Sequence, residues 1–209
     1  ISVGNLKAGG TGKTPFVEYL LRLLASSYNI AVISRGYGRK TKGYRLVDPQ
    51  GRAEDFGDEP LQMAKKFPNV LFAVCESRNK AIEIIEAEYP AIDLVLLDDA
   101  YQHRYTARDF NILLTEYNRP FFKDRVLPFG LLREYRQGYK RADCIVVTKC
   151  PPLEERERKD FAEKLKPLPD QRIFFSEIHY RLPYLLNDES RKLNLSEHSV
   201  VLFTGISNN

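Results

Sequence analysis

A glycine-rich segment near the start of the chain constrains the fold more than any other feature. Residues 4–15 read GNLKAGGTGKTP and lie between the apolar start ISV and an amphipathic segment. A strand, a glycine-rich loop and a helix in this order are the setting of a phosphate-binding loop. Because glycine has no Cβ, Gly9, Gly10 and Gly12 allow positive φ and bring backbone N–H groups close to phosphate oxygens. The segment therefore predicts a phosphate site at the start of the chain.

The residues that close this loop have side chains suited to a nucleotide and its metal. Lys13 can reach the β- and γ-phosphates, and the Thr14 hydroxyl can ligate Mg²⁺. The first turn of the following helix adds free N–H donors, and proline there loses nothing by lacking one. The predicted phosphate-binding residues are Gly9, Gly10, Thr11, Gly12, Lys13, Thr14 and Pro15.

One position departs from the strict pattern G-x-x-x-x-G-K-[ST]. That pattern has glycine where this chain has Lys7. A glycine-rich turn that only precedes a helix is the alternative interpretation, and the ending Gly-Lys-Thr favours the phosphate-binding loop.

A second signal is the run LVLLDD at residues 94–99. An apolar strand that ends in acids is what enzymes with a phosphate-binding loop use to hold Mg²⁺ opposite the phosphates. Adjacent buried carboxylates are costly without a cation, so we expect Asp98 and Asp99 to hold the metal, with one of them facing it directly. Gln102 and His103 follow directly. A lone histidine in such a loop is more often structural than catalytic, but this one lies beside the predicted metal site.

Strands and helices alternate along most of the chain. Apolar runs predict strands, and helical spacing of apolar residues predicts helices between them. This alternation predicts an α/β fold with a doubly wound, mostly parallel sheet flanked by helices. The predicted strands are residues 30–33, 70–74, 94–97, 110–114, 144–147, 173–178 and 199–203, and the predicted helices are 14–25, 61–67, 77–88 and 153–165.

Composition narrows the class of protein without naming it. With 209 residues and 43% hydrophobic residues, the chain can bury the core of one α/β domain and a remainder. The net charge of +4 suits an anionic ligand or membrane surface, but the dispersed basic residues lack the aromatic platform of a nucleic-acid binder. The three cysteines have neither paired nor zinc-ligand spacing and are expected to be thiols in a reducing compartment.

Three further segments have more than one interpretation. Residues 34–43 form a basic, glycine-rich stretch that is either a solvated loop or a flap near the phosphates. Asp58, in the run GDEP, could be a plain helix N-cap. Thr148 and Lys149 lie where some nucleotide hydrolases read guanine, but the required Asp is absent, so guanine specificity is not supported.

Taken together, the motifs resemble those of the tetraacyldisaccharide 4′-kinase family of lipid A biosynthesis. That family also lacks the first glycine of the loop pattern. The matching motifs are VGNLxxGGTGKTP at residues 3–15, ISRGYG at 33–38, GDEP at 57–60, LDDxxQH at 97–103, RD at 108–109, LPxGxLRE at 127–134 and RAD at 141–143.

The resemblance implies ATP and Mg²⁺ as cofactors and transfer of phosphate to the 4′-hydroxyl of a tetraacyl glucosamine disaccharide 1-phosphate. It makes Asp58 the candidate general base, with Lys13 and Asp99 also catalytic, and it gives the metal to Thr14, Asp98 and Asp99. The supporting residues that it implies are Glu59, Arg78, Gln102, His103 and Arg133.

The resemblance also implies an organisation and a location. Residues 1–172 would form the P-loop kinase core, 173–193 an extended two-stranded linker, and 194–209 the first strand of a second, smaller α/β lobe. The family carries an N-terminal hydrophobic helix, which we expect to precede residue 1. The expected location is the cytoplasmic face of the bacterial inner membrane, in peripheral contact with anionic lipid and without nucleic acid.

Two other functions are compatible with the glycine-rich loop. Partitioning and metal-chaperone ATPases share its ending, but they place a lysine directly before the two glycines, where this chain has Ala8. A nucleotide-binding module without transferase activity is the second alternative. Nucleotide binding without transfer to lipid would distinguish it.

Overall fold

The computed structural model of the protein describes residues 1–180, 182–185, 188–194, 199 and 201. Within these residues, a large sheet is flanked by helices. Its strands are β1 (Ser2–Asn5), β2 (Ile30–Ser34), β3 (Arg45–Leu46), β4 (Leu71–Val74), β5 (Leu94–Asp98), β6 (Asn111–Glu116), β7 (Cys144–Thr148) and β8 (Arg172–Phe175). The helices are α1 (Lys13–Leu24), α2 (Ala53–Phe56), α3 (Asp58–Lys66), α4 (Arg78–Glu88) and α5 (Glu155–Leu165), with 3₁₀ turns at Phe121–Lys123 and Arg136–Arg141.

The strand order is β3-β4-β2-β5-β1-β6-β7-β8. Neighbouring strands are parallel except for β3, which pairs antiparallel with β4 at the edge. From β1 the chain first builds outward to β4, and after β5 it builds toward the opposite edge through β6. This reversal confirms the predicted doubly wound sheet. It brings the carboxyl ends of β1, β2 and β5 together, and such a switch point is where open α/β sheets bind ligands.

Helices cover both faces of the sheet, so its central strands are apolar on both sides. On one face Val32 belongs to the same core cluster as Val17 and Leu21 of α1. On the other face its neighbour Ile33 packs in a cluster with Ile85 of α4. Phe161 of α5 packs in a further cluster beside β6 and β7. The three cysteines are buried and free, as expected from their spacing.

The long connection between β6 and β7 returns to the glycine-rich loop. The Ala8 N–H donates to the Leu131 carbonyl at 2.7 Å, and the Arg133 N–H donates to the Leu6 carbonyl at 2.7 Å. Lys7 and Leu132 form an isolated antiparallel bridge between these hydrogen bonds. This connection therefore forms one wall of the site described below.

Two sequence predictions are wrong in their boundaries. The helix predicted from residue 61 begins at Asp58, with Gly57 at its N-cap, so Asp58 lies inside the first turn, where a carboxylate interacts favourably with the helix dipole. The strand predicted at residues 173–178, and assigned to the linker, spans Arg172–Phe175 as β8 and pairs parallel with β7. Ile173 and Phe175 explain this, because both pack against the core cluster around Phe161.

Beyond β8, two short strands, β9 (Tyr184–Leu185) and β10 (Asp188–Lys192), pair antiparallel with each other. The strand predicted at residues 199–203 lies outside the described residues, apart from Ser199 and Val201, and so does most of the segment 194–209. Among the residues that the structure describes, no helix combines the length and hydropathy needed to cross a membrane.

Candidate phosphate-binding and catalytic site

The glycine-rich loop connects β1 to α1 and exposes backbone N–H groups at the start of the helix. Gly12 is the N-cap of α1 with φ 82°, and Gly9 has φ 97°, so both adopt the left-handed region that glycine tolerates best. Gly10 is not among the residues with positive φ, and its predicted contact with phosphate stays a prediction. The first-turn amides of Lys13 and Thr14 have no helical acceptor and are therefore available to an anion.

Three side chains that the sequence analysis left out of the site hold this loop in shape. The Asn5 amide donates from Nδ2 to Thr11 Oγ1 at 2.6 Å. Thr148 Oγ1 donates to the Thr11 carbonyl at 2.9 Å, and Lys149 Nζ donates to the Gly10 carbonyl at 2.6 Å. The sequence signal for all three is a polar residue at or just after the carboxyl end of a strand. Thr148 and Lys149 thus brace the loop from the position where other families read guanine.

Lys7 accounts for the departure from the strict loop pattern. Lys7 is only 7% exposed. Its ammonium group lies 3.7 Å from a carboxylate oxygen of Glu116 and 3.8 Å from a carboxylate oxygen of Asp124. This lysine is therefore turned away from the phosphate position and ties the loop to β6 and to the β6–β7 connection.

Asp98 is the last residue of β5 and is 4% exposed. Burial, followed by the negative charges of Asp99 and Glu59, raises the pKa of Asp98 to about 7. Its Oδ1 atom is buried and has no hydrogen-bond partner. A buried carboxylate oxygen without a partner is costly unless a cation accompanies it.

Asp99 follows in the left-handed conformation, with φ 46°, and points to different partners. Arg133 donates to both of its oxygens, at 2.7 Å and 3.2 Å, and Lys13 Nζ lies 3.8 Å from Oδ1. Burial acts to raise the pKa of Asp99, but the hydrogen bond from Arg133 and the charges of Lys13 and Arg133 outweigh it, leaving the pKa below its usual value.

These two carboxylates fit a Mg²⁺ ion that is shared with phosphate oxygens. In the described part of the chain, no three His, Cys, Asp or Glu side chains lie close enough to form a metal cluster by themselves. Mg²⁺ bound to nucleotides commonly takes one or two carboxylates and completes its octahedron with phosphates and water. The unpartnered Asp98 Oδ1 has the chemistry of such a ligand, and Thr14 is the other predicted ligand.

A pair of glycines places Asp58 and Glu59 opposite these aspartates. Gly57 has φ 90° and ψ 153°, and a Cβ there would lie 2.9 Å from the Tyr37 carbonyl oxygen. A Cβ on Gly36 would lie 2.6 Å from the Phe56 carbonyl oxygen. The loop after β2 therefore packs directly on the start of α3.

Between these elements lies a cleft of about 150 Å³. Its lining comes from the end of β2, the start of α3 and the end of β5, namely Ser34, Arg35, Gly36, Tyr37, Asp58, Glu59, Pro60, Asp98 and Asp99. The basic segment 34–43 thus begins in the cleft, and its predicted position near the phosphates stays a prediction. Asp58 is exposed there, where a substrate hydroxyl can approach it.

Arg78 lies beneath the aspartates and is 1% exposed. It donates to the Cys75 carbonyl at 2.5 Å and to the Asp98 carbonyl at 3.2 Å. These contacts tie the ends of β4 and β5 together. The structure thus gives this residue a positioning role, and its predicted contact with phosphate or substrate stays a prediction.

Gln102 and His103 occupy the turn after β5. Gln102 Nε2 donates to the Asn5 carbonyl at 2.8 Å and to Glu134 Oε1 at 3.2 Å. His103 is half-buried, and burial, followed by the positive charges of Arg78 and Arg108, lowers its pKa.

Glu134 is the last residue of the LPxGxLRE motif, and no functional role was predicted for it from the sequence. Its carboxylate accepts hydrogen bonds from Gln102, from Arg104 at 2.8 Å and from Arg141 at 2.7 Å. Burial acts to raise the pKa of Glu134, but these hydrogen bonds hold it below its usual value. The adjacent Arg133 is held against Asn5, whose side-chain and backbone oxygens both accept from its guanidinium group.

A family-wide sequence model described as LpxK, tetraacyldisaccharide-1-P 4′-kinase, matches residues 1–209. Among similar curated proteins is a tetraacyldisaccharide 4′-kinase of Bacteroides thetaiotaomicron, 47% identical over 182 residues that cover 86% of this chain and 48% of the relative. Another, from Flavobacterium johnsoniae, is 44% identical over 209 residues, covering 99% of this chain and 62% of the relative. The chain thus spans about half to three-fifths of the length of these relatives.

The structure is also similar to a solved one. The crystal structure of LpxK from Aquifex aeolicus in complex with ATP matches with a TM-score of 0.64 and 30% sequence identity, over 86% of this chain and 71% of that one.

Proposed function

Because the chain belongs to the tetraacyldisaccharide 4′-kinase family, we propose that it forms the catalytic core of an ATP-dependent lipid kinase. Its reaction is transfer of the γ-phosphoryl group to the 4′-hydroxyl of a tetraacyl glucosamine disaccharide 1-phosphate. The observation that carries this proposal is that one region joins the loop lysine Lys13, the paired acids Asp98 and Asp99, and Asp58 in an open cleft.

ATP is the proposed nucleotide. The related Aquifex aeolicus protein was crystallised with ATP, and this chain has the same fold over most of its length. Lys13 and the N–H groups at the start of α1 hold the phosphates, and Asn5, Thr148 and Lys149 keep the loop in shape. Arg133 is close enough to Lys13, through Asp99, to add a second positive charge to the site.

The residues proposed to hold Mg²⁺ are Thr14 and one or both of Asp98 and Asp99. A bound Mg²⁺ would neutralise phosphate charge as it develops. The buried Asp98 Oδ1 without a partner supports Asp98 as the direct ligand, whereas the Asp99 oxygens are already bonded to Arg133.

Asp58 is proposed to accept the proton of the sugar hydroxyl. It is exposed, lines the same cleft as Asp98 and Asp99, and stands on the first turn of a helix. The transition state of phosphoryl transfer is loose, so catalysis depends mainly on positioning and charge. Asp58 then needs only to hold and orient the hydroxyl while removing its proton.

We propose that the enzyme works at the cytoplasmic face of the bacterial inner membrane, in contact with anionic lipid, because its proposed substrates are a lipid and ATP. The free buried cysteines are compatible with this reducing compartment. We further propose that the kinase core continues through β8 to residue 175, that β9 and β10 belong to the linker, and that residues 194–209 begin a smaller lobe.

The test is transfer of label from γ-labelled ATP to a tetraacyldisaccharide 1-phosphate in detergent with Mg²⁺. The chain is assayed beside a longer protein that has the full length of its relatives. Label in the lipid with either protein supports the kinase. ATP hydrolysis without lipid labelling in both would favour the ATPase alternative, and tight ATP binding with neither reaction would favour a binding module.

A further inference from the structure

The β6–β7 connection presents a group of large apolar side chains to solvent. Leu127 is 52% exposed, Phe129 84% and Leu131 41%. We call these three residues the apolar loop tip. Scattered apolar residues are normal on a surface, but three large exposed apolar side chains within five residues of one loop are a candidate interaction site.

Hydrogen bonds at the base of the loop fix the conformation that exposes the apolar loop tip. The Leu132 N–H donates to the Arg125 carbonyl at 2.9 Å, and the Leu127 N–H donates to the Leu132 carbonyl at 3.0 Å. The Asp124 carboxylate caps the loop by accepting from the Arg125 and Leu131 N–H groups at 2.8 Å and 3.1 Å. The exposure of the tip is therefore a property of a closed, braced loop.

The segment that carries the apolar loop tip is rich in positive charge. Residues 119–141 contain seven basic and two acidic residues. The acidic residues are Asp124, which caps the loop, and Glu134, which is bonded to arginines. The exposed basic residues are Arg119, Lys123, Arg125, Arg136 and Lys140. Exposed apolar side chains on a segment with many exposed cations are complementary to a bilayer with anionic head groups.

We propose that the apolar loop tip inserts into the surface of an anionic lipid bilayer and docks the kinase core there. The inference rests on the proposed function, since a lipid substrate has to be reached from its membrane. The Leu131 carbonyl bonds directly to Ala8 of the phosphate-binding loop, and Arg133 lies two residues further on against Asp99. Insertion of the tip therefore sets the site beside the head groups, where the sugar hydroxyl of the substrate lies.

Fluorescence tests insertion directly, because the chain contains no tryptophan. Phe129→Trp places a single reporter at the tip, and Tyr105→Trp, at a residue 97% exposed outside this loop, is the matched control. With phosphatidylglycerol-containing vesicles we expect a blue shift and quenching by brominated lipid for Phe129→Trp only. Equal responses from both reporters, or no response from either, would overturn the proposal. So would a blue shift that appears without vesicles when the protein concentration is raised.

Vesicle sedimentation tests the energetic contribution of the same residues. Phe129→Ser should weaken partitioning to anionic vesicles by about tenfold or more, because it removes one large inserted side chain, and Tyr105→Ser should not change it. Arg125→Gln should weaken partitioning by about fivefold on anionic vesicles, whereas Lys65→Gln, an exposed charge on α3, should have no effect. Wild-type partitioning in Phe129→Ser would contradict insertion.

These measurements separate docking from catalysis. Vesicle binding is read without ATP or substrate, so it can succeed even if no lipid is phosphorylated. If the kinase is active, Phe129→Ser should keep its turnover on detergent-dispersed substrate and lose it on substrate in anionic vesicles. Equal loss in detergent and vesicles would assign the tip to the acyl chains of the substrate instead of the bilayer.

Discussion

Gly57→Ala tests whether the contact between the β2 loop and α3 positions Asp58. The native backbone at this residue has φ 90° and ψ 153°, a region that is essentially restricted to glycine. A Cβ would also lie 2.9 Å from the Tyr37 carbonyl and 3.1 Å from the Gly36 backbone, so one of the two loops has to move.

Backbone strain of about 1–3 kcal/mol and overpacking of about 1–3 kcal/mol combine to a loss of about 2–6 kcal/mol in the free energy of unfolding. Gly43→Ala is the matched control, because Gly43 has φ 76° but nothing lies within 4 Å of its Cβ position. It should lose only the strain of a left-handed alanine, about 1–2 kcal/mol.

Urea denaturation measures both losses, with an unchanged m-value showing that the unfolded state is not altered. Turnover should fall about a hundredfold in Gly57→Ala, since a displacement of about 1 Å at a catalytic group has that effect, while Gly43→Ala keeps wild-type turnover. Equal destabilisation of the two variants, or normal turnover in Gly57→Ala, would refute the positioning argument.

Three further substitutions test the site. Asp58→Asn should lower turnover by about 10²–10⁴-fold with little change in ATP affinity by calorimetry, and unchanged turnover would remove the base role. Arg133→Lys loses the paired hydrogen bonds to Asp99, and because this pair is partly exposed we expect a loss of about 1 kcal/mol in unfolding free energy, with weaker ATP binding. Glu134→Gln should be destabilising at neutral pH, because the folded state holds the Glu134 pKa below its unfolded value. The carboxylate therefore contributes stability above about pH 4.3, and the contribution is lost as pH falls through the folded pKa. Thermal melts of wild type and variant should converge in acid, and a constant difference would contradict this account.

The parts of the site that sequence predicted are those encoded locally. A glycine-rich loop ending in Gly-Lys-Thr specifies its own turn and helix start, and the LVLLDD run specifies a buried strand with acids at its end. Parallel strands then bring such ends to one edge, which is why Lys13 and Asp99 meet as expected.

The parts that sequence missed depend on contacts between distant segments. Arg133 reaches Asn5 across 128 residues of chain, and nothing in either local sequence specifies that pairing. In the sequence, Lys7 departs from the loop pattern without a visible reason. The structure supplies the reason, because Glu116 and Asp124 lie beside it. An edge strand such as β8, with alternating exposure, resembles a linker strand in sequence because the neighbour that it pairs with is not encoded in its own residues.

The β6–β7 connection carries both the proposed lipid-binding tip and Arg133 of the proposed catalytic site. Two backbone hydrogen bonds of 2.7 Å, from Ala8 to Leu131 and from Arg133 to Leu6, join it to the phosphate-binding loop on either side of Leu132. The residues that face lipid and the arginine that faces Asp99 are therefore held by one short, braced segment. Because the segment is rigid, the apolar loop tip and the phosphate site keep a constant distance from each other. A bilayer that binds the tip therefore also fixes the distance between the head groups and the phosphate site. This argues that lipid binding and phosphoryl transfer depend on the same backbone contacts, and that weakening the base of the loop would impair both.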